Sequence, residues 1–196
     1  MPTALTIREA AFRDVAALVE LASNTFRDTY RLLDDPADIE AYVAESFTPE
    51  AFASILQDHS SLLLVALSER GEYIGYAHVT HSTPPPCVTG PAPVELARLY
   101  LRQGVVGKGY GSALMEAVHA VARRSRCKTI WLGVYDRNET ARNFYKRWGF
   151  VDVGTKGFLF GGKVYEDPIM SAAVPDGGVP PTASVLRDQP ASKMAG

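Results

Sequence analysis

The chain has 196 residues, 46% of them apolar and 21% charged, and a net charge of −2 at pH 7. That size and composition predict one globular domain with enough chain to bury a sizeable core. A slightly acidic chain without interleaved basic and aromatic residues argues against nucleic-acid binding, and no apolar run approaches the ~20 residues of a membrane span. Cys87 and Cys127 are too few and too far apart for a disulfide framework or a metal site, and the four histidines lack ligand spacing on one element. With no apolar leader before Ile7, the expected setting is a reducing cytoplasm.

In chain order, Thr6–Ala10 reads as a first strand, and Asp14 as the N-cap of a helix with Val15, Leu18, Val19, Ala22 and Phe26 on one face. A second helix spans Ala37–Phe47. Thr48-Pro49-Glu50 restarts a third, with Thr as cap, Pro at the first helical position and an acid in the first turn. Ser61–Ser68 and Tyr73–Thr80 form a predicted hairpin through Glu69-Arg70-Gly71-Glu72. Thr83–Pro93 carries five prolines and a glycine and is a loop. Val94–Leu101 is the next strand, Gly109–Arg124 a central helix, and Thr129–Val134 a buried strand. Asn138–Trp148 is a helix closed by Gly149 at its C′ position, followed by strands Phe150–Val153 and Lys163–Ala172. The order implies a mixed α/β or α+β sandwich over residues 1–173 rather than a doubly wound fold. Residues 174–196, rich in Pro, Gly, Ser and Ala, are expected to be a disordered tail.

One junction carries chemistry. The strand Val94–Leu101 leads into Gly107, Gly109 and Gly111, which open directly into the central helix. Free backbone N–H groups and the positive end of a helix dipole then meet at one spot, a phosphate site that needs no cationic side chain. A Walker A loop is excluded because Lys108 is followed by Gly109 rather than Ser or Thr. The dinucleotide fingerprint fails too: the spacing is GxGxG, and Tyr135 follows the next strand before any acid.

The glycine block resembles the GCN5-related N-acetyltransferases, whose signature places Gln or Arg before Gly-x-Gly-x-Gly/Ala; Val106 stands at the Gln/Arg position here. The block from Asn138 to Phe150, NETARNFYKRWGF, resembles the family's second characteristic segment. Ser46–Glu50, PVELARLYL at 93–101, Phe158–Gly161 and Asp167–Met170 are similar to the bacterial spermine/spermidine (PaiA-like) branch. The resemblance covers residues 5 to 172. It implies an acyl-CoA N-acyltransferase fold: a mostly antiparallel central sheet, flanked by helices and splayed to admit the pantetheine arm of acetyl-CoA. Residues Gly107, Lys108, Gly109, Tyr110, Gly111 and Ser112 would cradle the pyrophosphate. Leu99, Tyr100 and Leu101 would offer backbone groups to the pantetheine, and Asn138 a hydrogen bond beyond its capping role. A homodimer is compatible with the family.

Amine acetylation needs a neutral nitrogen, and an amine of pKa ~10 is free base in only about one molecule per thousand at pH 7. Glu95, the one acid in a strand whose remaining residues are apolar but for Arg98, matches the family's general base; a salt bridge to Arg98 or an edge charge is the competing role. Tyr145 shares a helix face with Asn138 and matches the thiolate-facing tyrosine, against a plain core aromatic beside Phe144 and Trp148. Residues 32–68 hold no Lys or Arg and seven acids, among them Asp34 and Asp35, whereas residues 98–147 hold eleven Lys and Arg against three acids. A basic cofactor half suits CoA and an acidic half suits a cationic acceptor, unless the acids merely solvate helix faces. The expectation is an acetyl-CoA-dependent N-acetyltransferase, without a metal, acting on a polyamine or similar small cation by direct attack in a ternary complex. Two alternatives stay open: a protein or peptide N-acetyltransferase, and an inactive CoA-binding sensor or interaction module.

Overall fold

The computed structural model describes residues 5–176. The first half runs β1 (Thr6–Glu9), α1 (Val15–Tyr30), α2 (Pro36–Ser46), α3 (Pro49–Gln57), β2 (Ser61–Leu67) and β3 (Tyr73–Thr80). The second runs β4 (Pro93–Leu101), α4 (Tyr110–Arg124), β5 (Thr129–Gly133), α5 (Glu139–Arg147), β6 (Val151–Phe160) and β7 (Lys163–Ala173). Element types and order are those the sequence predicts. The strands make one seven-stranded sheet in the order β1-β2-β3-β4-β5-β7-β6, and every neighbouring pair is antiparallel except β4 and β5.

Helices cover both faces. Leu64 and Ala66 of β2 pack with Leu114, Met115 and Val118 of α4 on one side, while Leu63 and Val65 pack with Leu18, Leu21 and Phe52 of α1 and α3 on the other. A strand buried on both faces reads as an unbroken apolar run, which is why SLLLVAL shows no alternation. No helix among the described residues is long and apolar enough to cross a membrane.

Three boundaries differ from expectation. Asp14 does not cap α1; a 3-10 turn over Phe12–Asp14 precedes the helix, and the Asp14 carboxylate turns back into the protein. There it accepts from Nη1 and Nη2 of the Arg8 guanidinium at 2.7 and 2.8 Å, from the Ala11 N–H at 2.8 Å and from the Tyr73 hydroxyl. Strand β6 continues to Phe160 because it forms a hairpin with β7, and its mostly exposed side chains leave no periodic signal. Finally, residues 174–176 stay attached: the Val174 N–H donates to the Lys128 carbonyl at 2.9 Å, and Asp176 pairs with Lys128 at 2.6 Å. The rest of the expected tail, 177–196, lies outside the described residues.

Two buried polar groups tie stability to pH. Arg8 holds the Asp14 carboxyl far below the usual carboxylate range, outweighing the opposing effect of burial. Its contribution is present above the unfolded carboxylate range near pH 4 and is lost as acid approaches the lower folded value. Asp14→Ala should cost about 2 kcal/mol in urea unfolding at pH 7, because it removes a buried carboxylate that accepts from Arg8, the Ala11 N–H and the Tyr73 hydroxyl. His119 is stacked on Trp148 at 5.4 Å, and burial, with Arg123 adding to it, lowers its pKa to about 4. The unfolded imidazole takes a proton near pH 6.5 and the folded one does not until about 4, so stability falls with pH between those values. That slope should approach about 1.4 kcal/mol per pH unit for this residue, and His119→Phe should remove its share while keeping the stack.

Candidate active site

The site is organised by a gap in the sheet. Strands β4 and β5 pair over only three positions, Pro93↔Thr129, Val94↔Ile130 and Glu95↔Trp131. A bulge at Ala97 in the β3–β4 ladder, between the pairs Val79↔Leu96 and His78↔Arg98, falls just where that pairing ends. A bulge bends its strand. Beyond Glu95, the edge of β4 that faces β5 has no strand partner, so main-chain groups along Leu99–Leu101 are open toward the gap.

On the α4 face, the glycine loop meets this opening. Gly109 sits at φ +86° at the N-cap position immediately before α4, and Gly107 at φ +83°, a region where only glycine is unstrained. No side chain caps α4, so the amides of Gly109, Tyr110, Gly111 and Ser112 have no intrahelical acceptor. A Cβ on Gly107 or Gly109 would point into open space, whereas one on Gly111 would stand 3.4 Å from Leu101 and 3.5 Å from Phe144. The uncapped amides, the end of β4 and helix α5 therefore converge. Lys108 is exposed beside them. These open donors and the absence of any blocking side chain fit a pyrophosphate. Asn138 caps α5 through the Ala141 N–H at 3.1 Å, and Tyr145 is buried in the cluster packed on α4. Burial raises the Tyr145 phenol well above 10, with Tyr100 adding to the effect, so the group stays protonated at neutral pH.

The opposite face holds a cavity of about 260 Å³. Its floor is Glu95, Ala97, Arg98 and Tyr100 of β4 with Trp131 of β5; Phe26 and Tyr30 of α1, Tyr42 of α2 and the tip of β6 wall it. The bulge at Ala97 puts Glu95 and Arg98 on this same face, although they are three residues apart. They form no ion pair: the Glu95 carboxylate accepts a short hydrogen bond from the Ser82 hydroxyl. Asp34, in the turn after α1, accepts the Tyr135 hydroxyl at 2.9 Å and that of Tyr165 at 3.3 Å, and its second oxygen is buried without a partner. Asp167 also lines the cavity; burial raises its pKa, partly offset by the Asp136 N–H at 3.3 Å.

Of the residues expected from sequence, the glycine loop, Leu99–Leu101, Asn138 and Tyr145 gather around the gap from one side, while Glu95 and Asp34 face it from the other. Asp35 is not with them: it is exposed and occupied in capping α2 through the Ala37 N–H at 2.8 Å. None of the other acids of 32–68 lines the cavity. Sequence reasoning missed Ser82, Trp131, Tyr135, Lys156 and Asp167 as site residues. They come from the segment after β3 and from three strands or their ends, β5, β6 and β7, and no local spacing marks them.

Comparison with known proteins agrees with this geometry. Residues 18–150 match the acetyltransferase (GNAT) family model. An uncharacterized N-acetyltransferase of Mycobacterium tuberculosis is 31% identical over 157 residues, 80% of this chain and 96% of that protein. The spermidine N(1)-acetyltransferase of Thermoplasma acidophilum is 24% identical over 159 residues, 80% of this chain and 94% of that one. Among solved structures, the PaiA N-acetyltransferase of Thermoplasma acidophilum in complex with coenzyme A superposes with a TM-score of 0.73 at 22% identity, covering 87% of this chain and 99% of that one. The chain belongs to the GNAT acetyltransferase family and is an acetyl-CoA-dependent N-acetyltransferase.

Proposed function

We propose that the protein acetylates a primary amine of a small cationic acceptor, a polyamine or a close chemical relative, that enters through the aromatic-walled cavity. The observation that carries this reading is the gap beyond Glu95↔Trp131, which leaves the main chain of β4 without a partner between that cavity on one face and the uncapped amides of α4 on the other. Acids inside the cavity, Asp34, Glu95 and Asp167, favour a cation, and the spermidine acetyltransferase relative supports the same class.

Acetyl-CoA supplies the thioester, and the new C–N bond forms as the C–S bond breaks. Glu95 takes the proton that the attacking amine must lose, and the Ser82 hydroxyl holds its carboxylate in place. Tyr145 donates a hydrogen bond toward the leaving sulfur. Its raised pKa makes it a poor outright acid against a thiol of pKa ~8.5, so hydrogen-bond donation is the stronger part of its role. The amides of Gly109–Ser112 and the loop at Lys108 bind the pyrophosphate, and Asn138 with Leu99–Leu101 lies along the pantetheine.

The test is CoA-thiol release from acetyl-CoA across polyamines, diamines and lysine-bearing peptides. Saturable release with the small amines is expected; release with peptides alone would replace the substrate class, and acetyl-CoA binding without release would favour a sensor. Glu95→Gln should lower turnover about tenfold or more, most at low pH where free amine is scarcest, and an unchanged pH–rate profile would overturn the base assignment. Gly109→Val forces a branched side chain into left-handed backbone, and should weaken CoA binding measured by calorimetry about tenfold or more with helix content retained by circular dichroism.

A further inference from the structure

The cavity is not lined by acids alone. Trp131 is 2% exposed, and its indole Nε1–H has no hydrogen-bond partner. Arg98 Nη1 and Asp34 Oδ2 are likewise buried and unpartnered, and all three residues line the same cavity. A buried polar group without a partner costs about 1–3 kcal/mol, so two donors and an acceptor around one space point to a ligand rather than to packing. The Arg98 guanidinium carbon lies 5.1 Å from the centre of the Phe47 ring, a contact that supplies no hydrogen-bond acceptor to Nη1. No carboxylate of the described residues neutralises it. Glu95, on the same strand face, is held by Ser82, and the cross-strand partner of Arg98 is His78, which burial and Arg98 itself keep neutral.

We propose that the acceptor carries a carboxylate as well as its amines, the carboxylate bound by Arg98 and Trp131 and a cationic nitrogen by Asp34. The chemical class is a diamino acid, the carboxylated counterpart of a diamine, with its alkyl chain passing between Tyr30 and Tyr42. This rests on the acetyl-transfer reading for the reaction but not for the binding. A guanidinium and an indole N–H together match the two oxygens of a carboxylate, and a site built around such donors discriminates strongly against an analogue that lacks the acceptor.

Matched pairs test it: ornithine against putrescine and lysine against cadaverine, in the thiol-release assay with the full-length protein. The amino acids should exceed their decarboxylated partners in kcat/KM by about tenfold or more. Arg98→Gln should raise KM for the amino acids by a similar factor and bring their ratio to the diamines close to one. Diamines equal to or better than the amino acids would overturn the carboxylate site and leave acetyl transfer standing. Binding is read independently from the indole N–H resonances of the wild type, which has only Trp131 and Trp148. A saturable shift of one indole signal with ornithine and not putrescine supports the site even without turnover, in which case the acetyl-transfer reading is what fails. No saturable shift with ornithine overturns the site.

Discussion

The three-residue pairing of β4 with β5 is the constraint on which the site depends. A parallel pair that continued past Glu95↔Trp131 would close the sheet and separate its two faces completely. Because the pairing stops, the cavity under α1 and α2 and the start of α4 lie on either side of a stretch of β4 whose main chain has no strand partner toward β5. Unpaired backbone inside a protein is unfavourable unless something takes its place. A ligand with its own amides, lying along the strand, answers that requirement.

The same division explains why charge is distributed as it is. One side presents backbone donors at the start of α4. The other is a cavity of aromatic rings carrying Asp34, Glu95, Arg98, Lys156 and Asp167. Phe26 stacks on Tyr42 at 4.7 Å and Tyr42 meets Phe160 edge to face at 5.7 Å, which gives the wall its shape without adding charge. Placing both signs among them makes recognition of a small molecule by its pattern of charges possible, which a uniformly acidic surface would not achieve.

Much of the fold was legible because it rests on local signals. Thr48-Pro49-Glu50 starts α3 with the Thr48 hydroxyl accepting the Ala51 N–H, and Asn138 caps α5 in the same way. Asp14 was misread for a physical reason: an acid before a helix is normally a cap, but Arg8 and Tyr73 outcompete the helix amides for its carboxylate. The length of β6 was invisible because an exposed edge strand owes its structure to backbone pairing with β7 and not to an apolar pattern.

For the site, the glycine loop, Glu95, Asn138 and Tyr145 could be picked out from residue types at short spacings and from likeness to a family. The seven acids of 32–68 illustrate what spacing cannot do: as a run they are equivalent, and only folding turns Asp34 into the cavity while Asp35 caps a helix and Glu40 pairs with Arg27. Sequence alone determined the order of elements and the backbone chemistry of the glycine loop, because caps, glycines and apolar runs act over a few residues. Tertiary structure alone decided the cavity, because it brings together Glu95 with Ser82, Arg98, Trp131 and Asp167 from distant segments, and a bulge at Ala97 puts Glu95 and Arg98 on one face.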